Sequence, residues 1–392
     1  MKRTIKLAVA AAVALTSTAA FATNGDSLIG LGAKARGMGG AGIAMSHGAE
    51  SGLINPAMIT SVKGTEISFG GTVFMPNVKT DVNMGQGFIK SDADLSVIPE
   101  VAIAQKASDN FYWGIGMFGT AGMGTDYRNA AAVAGNYNMV TNLQLMQFAI
   151  PLAYKTDGLS IGVAPVLQYG SLDINYNNGM SNVGTGVAQN FGFGYNLGAS
   201  YEVSDVTFGL VYKSKIDMTY NKVLTTAASN FGLMAITDHL EQPAEMGAGV
   251  AYKMGNSTIA LDYKKIKWSD AKGYKDFGWD DQNVYILGYQ FAQDNWALRA
   301  GYNHGKSPIK EQAAGAVGTP TNVLNLLGFP AIVENHYTLG GTYEISKSTA
   351  VDLAYAYSPE ATNHFNAGAG AGYDITTKHS QKAVTAQLNF KF

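Results

Sequence analysis

Six histidines carry most of the potential for catalysis or metal binding in this chain of 392 residues, which contains no cysteine. The absence of cysteine excludes thiol catalysis, disulfide frameworks and Cys-based zinc sites. None of the histidines stands in a recognisable Ser/His/Asp or metal-binding pattern; they are His47, His239, His304, His336, His364 and His379. We therefore predict no catalytic residue, no metal site and no cofactor.

Two cations are candidates for binding an anionic ligand. Arg299 lies between Leu298 and Ala300 in an alternating segment, and Lys264 lies in another, so each is predicted to point away from its apolar neighbours. The acids predicted to share this polar face outnumber the bases; they are Glu202, Glu245, Asp262, Glu344 and Asp352. Either cation can therefore bind a ligand carboxylate or form a structural ion pair.

The elements that must position these cations are strands with one apolar face. From Phe191 to Tyr201 the odd positions are large and apolar, whereas the even positions are Gly, Asn and Ser. This period of two predicts a β-strand. Fourteen such segments are predicted, near 65–77, 96–106, 110–119, 141–155, 158–171, 190–203, 206–216, 243–254, 257–268, 281–291, 295–303, 335–344, 349–358 and 382–392.

Most segments exceed the usual strand length and match the 9–11 residues of a tilted transmembrane strand. Short polar turns alternate with long loops, as in an outer-membrane barrel. Charged residues make up only 14% of the chain, glycine is frequent at 47 residues, and mean hydropathy is 0.00, which suits a sheet with one apolar face. The predicted fold is all-β, a 14-stranded antiparallel transmembrane β-barrel over 65–392; a β-sandwich or propeller is the soluble alternative.

Both ends of the chain support this location. Residues 1–22 have the basic start, the apolar run and the Ala20-Phe21-Ala22 ending of a cleavable signal peptide. The alternating last segment ends on Phe392 and resembles the terminal strand by which outer-membrane proteins are recognised for insertion. We therefore expect export to a Gram-negative outer membrane, with outer-membrane lipid and the assembly machinery as partners. The formal net charge of −2 argues against a nucleic-acid partner.

Residues 23–64 lack strand alternation and are rich in Gly and Ala, so we expect them to fill the barrel lumen. Gly37 to Gly42 formally matches a dinucleotide-binding pattern, but no βαβ unit surrounds it. Within this segment Pro56 fixes one backbone angle, and Asn55 can hold neighbouring backbone groups with its side chain. We therefore take Asn55 and Pro56 as gating candidates.

Together with the signal and the barrel pattern, the stretch from Gly32 to Ala41 and the Asn55-Pro56-Ala57 triplet resemble the FadL/TodX family of outer-membrane transporters. Weaker matches are Ile98-Pro99, Trp268-Ser269, Arg299 to Tyr302 and Ser307-Pro308. The resemblance implies a monomeric barrel with an N-terminal hatch at residues 23–64, and a long-chain fatty acid or other hydrophobic ligand. It implies capture at the outer loops, transfer to a lumen site and lateral exit. An aromatic-hydrocarbon channel, a general porin and an enzyme assembled by the loops are the alternatives.

Two further groups of residues follow from this route. The resemblance implies an inward kink in the third strand, for which Gly114, Gly116 and Gly119 are candidates; these glycines can equally make room for the hatch. The fourth long loop is unusually apolar, and four of its residues are expected to line one side of a short helix that captures ligand; loops that pack on each other over the barrel mouth are the alternative. These are Phe231, Leu233, Met234 and Ile236.

Overall fold

The structure is a computed structural model, and it describes residues 23–82, 87–130, 135–366 and 374–392. The predicted signal peptide, residues 1–22, lies outside the described residues. Fourteen antiparallel strands close into a barrel, which confirms the predicted fold. They are β1 (Thr65–Asp81), β2 (Ser96–Lys106), β3 (Phe111–Asp126), β4 (Val140–Ala149, continued by Leu152–Thr156), β5 (Leu159–Asn177), β6 (Ala188–Val203), β7 (Val206–Lys213), β8 (Glu245–Met254), β9 (Ser257–Ile266), β10 (Gln282–Gln293), β11 (Trp296–Gly305), β12 (Asn335–Ser346), β13 (Thr349–Asn366) and β14 (Asp374–Lys391).

The barrel closes because its last strand pairs with its first. β14 is antiparallel to β1 from Thr376–Asp81 to Lys391–Glu66, and Phe392 exchanges two backbone hydrogen bonds with Thr65. Closure leaves neither the first nor the last strand with an unpaired edge, which is the condition for a sheet to cross a bilayer. The side chain of Phe392 itself is exposed.

The apolar face predicted from the alternation is the outer face. Along β6, Phe191, Phe193, Tyr195 and Leu197 are exposed, and the residues between them point inward. Ile161 and Val163 on β5 and Leu339 on β12 repeat this arrangement. A continuous belt of exposed aromatic and aliphatic side chains is the surface that lipid requires.

Several strands are longer than the sequence predicted. β3 continues to Asp126 instead of 119, β5 to Asn177 instead of 171, and β14 begins at Asp374 instead of 382. The extension of β14 carries mostly polar residues on both faces, so apolar alternation is lost there while its backbone pairing continues. The extension of β5 alternates in the opposite sense, with Leu172, Ile174 and Tyr176 buried, and the extension of β3 is buried beyond Thr120. β4 is interrupted because Pro151 has no N–H to give to the ladder.

The helices are short. They are α1 (Ala33–Gly37), α2 (Val223–Asn230) and α3 (Gly318–Val323), with 3₁₀ turns at Gly48–Leu53, Pro56–Ser61, Trp268–Asp270 and Lys275–Phe277 and a π turn at Leu324–Gly328. No helix in the described ranges has the length and apolar character needed to cross a membrane. α2, α3 and the π turn belong to the long loops.

Residues 23–62, here called the inner segment, precede the barrel and are almost entirely buried. They contain the two-residue strands Thr23–Asn24 and Ser27–Leu28, then α1 and two 3₁₀ turns. The segment touches the wall on opposite sides. A Cβ on Gly301 of β11 would lie 2.1 Å from its backbone, and one on Gly162 of β5 would lie 2.5 Å from it. Wall glycines therefore provide the room that the inner segment occupies.

Candidate functional site

An ion pair fixes the middle of the inner segment to the wall. Arg36 on α1 is fully buried, and its Nη2 donates to Oε1 of Glu100 on β2 at 2.8 Å. The same guanidinium donates to the hydroxyls of Thr72 on β1 and Thr385 on β14. Arg36 thus joins three strands, and its charge is neutralised where water does not reach.

Further contacts hold the neighbouring residues of the inner segment against the wall. Asp262 on β9 accepts hydrogen bonds from the backbone N–H groups of Gly42 (2.7 Å) and Ile43 (2.9 Å). Lys34 lies 3.5 Å from Asp352 on β13. Gly40 has a positive φ of 94°, and a Cβ on it would lie 1.7 Å from the carbonyl oxygen of Ile29. The glycines of this stretch therefore permit close packing.

Asn55 and Pro56 lie where the inner segment meets β6 and β7. Nδ2 of Asn55 donates to the carbonyl oxygen of Ile43 at 2.7 Å and lies 3.3 Å from those of Ala199 and Leu210. Its Oδ1 accepts from the N–H of Ala57, which caps the 3₁₀ turn that Pro56 begins. Asn55 thus ties together two parts of the inner segment and two wall strands.

The two predicted cations have different surroundings. Arg299 points inward, as predicted, but its guanidinium donates to Gln290 and Thr342 at 2.7 Å each and lies 3.9 Å from Asp352. Asp352 also pairs with Lys34, so Arg299 belongs to a network between wall and inner segment. Lys264 also points inward, and it lines a cavity.

This cavity, the lysine cavity, has a volume of about 40 Å³, enough for only a few water molecules. Its charged residues are Lys213, Lys264 and Glu245, and Lys213 lies 3.4 Å from Glu245. Two cations and one anion leave one positive charge in the cavity. Sequence reasoning included Glu245 and Lys264 but missed Lys213, which is the last residue of β7.

β3 leaves its neighbour β2 halfway along the wall. The pairing of the two strands covers Glu100–Lys106 on β2 and ends at the Glu100–Phe118 pair. Beyond it, residues 121–127 are all buried, whereas Phe111 and Ile115 alternate with buried neighbours. Among the described residues the connection resumes in a loop, where the N–H of Asp92 donates to the carbonyl oxygen of Asp126 at 2.8 Å. The region between these two contacts is here called the wall gap.

The inner segment occupies the free edge of β3 at the wall gap. Ser27 pairs with Ala121, and the N–H of Gly122 donates to the carbonyl oxygen of Asp26 at 3.0 Å. Thr120, at the β-bulge between Gly119 and Ala121, lines the lysine cavity. The wall gap, the lysine cavity and the first residues of the inner segment therefore adjoin one another.

Of the three candidate kink glycines, one lies beside the inward turn of β3 and another makes room for the inner segment. Gly119 borders the bulge at which β3 turns inward. Gly116 lies in regular pairing, and a Cβ there would come within 2.4 Å of Leu53 of the inner segment. Gly114 also pairs regularly and faces Ile103 and Pro151. The irregularity lies beyond Gly114 and Gly116.

A buried hydrogen bond holds the first residues of the inner segment under an outer loop. The hydroxyl of Tyr274, in the loop between β9 and β10, donates to Oδ2 of Asp26. Burial raises the pKa of Asp26 to about 6, although its hydrogen bonds with Tyr274, Ser27 and Gln242 act in the opposite direction. The pKa of the Tyr274 phenol is raised well above its usual value by burial, so this hydroxyl remains a donor.

On the outer side of this contact lies an apolar cavity, here called the outer pocket. Its volume is about 20 Å³, and it is lined by Met123, Leu143, Leu224, Leu240, Tyr274, Phe277, Trp279, Asn325 and Phe329. Its polar groups are satisfied, since Nε1 of Trp279 donates to Asn325 and Asn325 donates to the carbonyl oxygen of Phe277. The outer pocket therefore suits an apolar group.

The predicted helix through Phe231, Leu233, Met234 and Ile236 was wrong. α2 ends at Asn230, because Gly232 has a positive φ of 82° and the N–H of Leu233 turns back to the carbonyl oxygen of Ala228. Leu233 and Ile236 are buried among the loops, and the ring of Phe231 packs edge-on against Tyr137 and at a tilt against Tyr176. Only Met234 of the four is exposed.

No group of three or more His, Asp or Glu side chains suited to a metal ion occurs among the described residues. Buried histidines in this part of the chain bond to carbonyl oxygens, as His47 does to Ala41 and His379 does to Pro330.

The sequence matches a known family of proteins. Residues 8–392 match a family model described as outer membrane protein transport protein (OMPP1/FadL/TodX). The chain is 23% identical to outer membrane protein P1 of Haemophilus influenzae, over 79% of this chain and 80% of that protein. It is also 23% identical to the 47 kDa outer membrane protein of Pasteurella multocida, over 86% and 87%.

Solved structures share the fold. A FadL homologue of Pseudomonas aeruginosa has a TM-score of 0.71 at 14% identity, with 94% of this chain and all of that chain covered. The toluene transporter TodX of Pseudomonas putida has a TM-score of 0.69 at 19% identity, with 94% and 100% covered. At these identities the likeness concerns the fold alone.

Proposed function

Because its family model matches nearly the whole sequence, the chain belongs to the OMPP1/FadL/TodX family of outer membrane transport proteins, and we propose that it takes up long-chain fatty acids or similar hydrophobic acids. One observation carries the proposal. The residues at the start of the inner segment separate an apolar outer pocket from a lysine cavity, and they also plug a gap in the wall.

The path begins at the outer pocket. An alkyl chain that enters it exchanges water for aromatic and aliphatic side chains, which contributes about 0.8 kcal/mol per buried methylene. The pocket and the lysine cavity are each too small for such a chain in this arrangement. Ligand entry therefore requires residues 23–31, here called the arm, to move. Asp26 and Ser27 are the arm residues that lie between the two cavities.

Lys264 is the proposed partner of the carboxylate. Arg299 is held by Gln290, Thr342 and Asp352, so binding a ligand there would break existing bonds. Lys264 has Glu245 and Asp262 as its nearest acids, and Glu245 is already paired with Lys213. An entering carboxylate would supply Lys264 with a direct anionic partner.

Lateral exit follows from the same geometry. When the arm withdraws from β3, the wall gap between β2 and β3 opens from the lysine cavity toward the lipid. Val97 on β2 and Ile115 on β3 are exposed beside it, so an apolar molecule leaving there meets an apolar surface. The inner segment acts as a hatch in this proposal, with a fixed part at Lys34–Ser61 and the arm as the part that moves.

Uptake of an aromatic hydrocarbon is the second candidate. The outer pocket contains three aromatic rings, Phe277, Trp279 and Phe329, besides Tyr274, and no charged side chain. The toluene transporter TodX shares the fold. A neutral hydrocarbon would use the outer pocket and the wall gap but would gain nothing from Lys264.

The test is a reversible lock on the arm. Cysteines replacing Ser27 and Ala121, which are partners in the sheet, can form a disulfide in this otherwise cysteine-free chain. We expect the oxidised variant to stop uptake of labelled oleate in a strain without its own transporter, and reduction to restore it. A pair replacing Thr207 and Ala251, partners on β7 and β8, is the matched control and should leave uptake unchanged.

Three substrates distinguish the candidates. Uptake of oleate but not of toluene supports a fatty acid as the substrate. Uptake of toluene but not of oleate supports an aromatic hydrocarbon. Equal uptake of a small sugar would identify a general porin. Undiminished oleate uptake by the locked protein would refute the arm as the gate.

A further inference from the structure

Buried polar atoms without partners gather on one part of the inner wall. Asn303 on β11 pairs across the sheet with His336 on β12, and Ser358 on β13 pairs with Gln381 on β14. All four side chains are at most 1% exposed. Within the described chain, Oδ1 of Asn303, Nδ1 of His336 and Oγ of Ser358 have no hydrogen-bond partner. We call these four residues the polar ledge.

The start of the arm lies on the polar ledge. The backbone nitrogen of Thr23 donates to Oε1 of Gln381 at 3.2 Å, and Nε2 of His336 lies 3.3 Å from the same oxygen. Thr23 and Asn24 are both buried, and both side-chain amide atoms of Asn24 are also without partners among the described residues. Each such atom costs free energy in a water-poor site, so the cluster requires an explanation.

We propose that the polar ledge binds the free α-amino group of Thr23, produced when residues 1–22 are removed. A peptide nitrogen has one hydrogen, and Gln381 accepts it. A free amino group has two hydrogens when neutral and three when protonated, so it offers additional donors to the oxygens of Asn303, Ser358 and Asn24. The ligand class is a primary amine, and the ligand is the chain's own new terminus.

The position of the cut then becomes a structural requirement. A terminus one residue longer would put an amide nitrogen at Gln381 and leave its amino group beyond the polar ledge. The contact between the amino group and the polar ledge also holds the first residue of the arm in place, in addition to the contacts of Asp26 and Ser27. This inference concerns the terminus and does not depend on which ligand the barrel carries.

Amine labelling tests the proposal. The mature protein, purified in detergent, is treated briefly at pH 7 with an acetylating reagent, and acetyl-Thr23 is measured by mass spectrometry after digestion. We expect labelling to be slower by about tenfold or more than in the same protein unfolded in denaturant, because the bound amine is inaccessible. Gln381→Leu should recover most of the unfolded rate. Gln168→Leu, which removes a buried wall glutamine bonded to Gln147, should remain protected.

A variant with one inserted residue tests the proposal without changing any side chain of the wall. One glycine placed between Ala22 and Thr23 leaves all four ledge residues intact and should make the terminal amine react at the unfolded rate. Three results would overturn the proposal: rapid labelling of the wild-type amine, a mature chain beginning at another residue, or protection that persists in the insertion variant.

Discussion

Tyr274 donates its phenolic hydrogen to the carboxylate of Asp26, and both side chains are buried. One residue belongs to the loop between β9 and β10 and the other to the arm, so the hydrogen bond connects this loop with the segment that lies against β3 at the wall gap. Trp268 and Trp279 pack against Tyr274, and Gly25 lies against Trp268, where a Cβ would clash at 2.4 Å. A ligand that displaces the loop aromatics would therefore loosen the arm directly.

The first prediction concerns pH. Burial raises the pKa of Asp26 from 3.8 to about 6 while the arm is docked, and release into water would return it to its ordinary value. Docking is thus fully favoured below about pH 4, and this contribution is lost as pH rises to 6, by about 3 kcal/mol in all. The arm should be released more often at pH 7.5 than at pH 5.

The measurement uses a single cysteine at Leu28, a buried arm residue. Its reaction rate with a maleimide, divided by the rate in denatured protein at the same pH, should rise by about tenfold from pH 5 to 7.5. Asp26→Asn cannot titrate and should remove the rise. An identical rise in the Asn variant would show that another group controls the arm.

The second prediction concerns Arg36. Replacing it by Met leaves Glu100 charged in a buried site, which should lower the free energy of unfolding by about 3–5 kcal/mol. Denaturant unfolding in vesicles measures the loss. Arg128→Met removes an exposed partner of Asp126 and should cost about 1 kcal/mol or less. If the two variants lost equal stability, the Arg36–Glu100 pair would not be the anchor of the inner segment.

The third prediction separates the two cations. Lys264→Met should weaken oleate binding by about tenfold, or 1.4 kcal/mol, and leave binding of oleyl alcohol unchanged. Arg299→Met should change both affinities alike, because this residue holds the wall network. Equilibrium binding with the two labelled ligands gives the answer. A selective loss of oleate in the Arg299 variant alone would return the carboxylate site to Arg299.

The barrel was predictable because lipid and lumen impose a period of two on every strand within the bilayer. The same reasoning fails where the bilayer ends. β14 begins at Asp374 and β13 continues to Asn366, and in these extensions the backbone pairing continues while most side chains are polar. Neither face of such an extension is required to be apolar, so no alternation marks it in the sequence.

The site was less predictable, because its contacts join residues far apart in the chain. Arg36 stands in the stretch that carries the family resemblance, yet its partners Glu100 and Thr385 are 64 and 349 residues away. Alternation placed Lys264 and Arg299 correctly in the lumen. It could not show that Arg299 is held by Gln290 and Thr342 while Lys264 lines a cavity.

The last prediction concerns Asn55, the gating candidate with contacts on both sides of the boundary between inner segment and wall. Its amide bonds to Ile43 and Ala57 within the inner segment and approaches carbonyl oxygens on β6 and β7. Asn55→Ala leaves these backbone groups buried without hydrogen-bond partners, which should lower the free energy of unfolding by about 1–3 kcal/mol. Since Arg36 and Asp262 still hold the fixed part, the barrel should remain folded and heat-resistant, but it should admit small solutes.

Removing most of the inner segment should produce the same defects in a stronger form. Deleting residues 23–55 while keeping the signal should leave a folded barrel that leaks strongly and no longer takes up fatty acid with specificity. Asn55→Ala should show a milder form of both defects, and Asn110→Ala, which loses only a hydrogen bond at an exposed turn, should show neither. Leakage of a small dye from vesicles and uptake of labelled oleate are measured side by side. If the deletion neither leaks nor alters uptake, the inner segment does not gate the barrel, and the tight packing around Asn55 serves the fold alone.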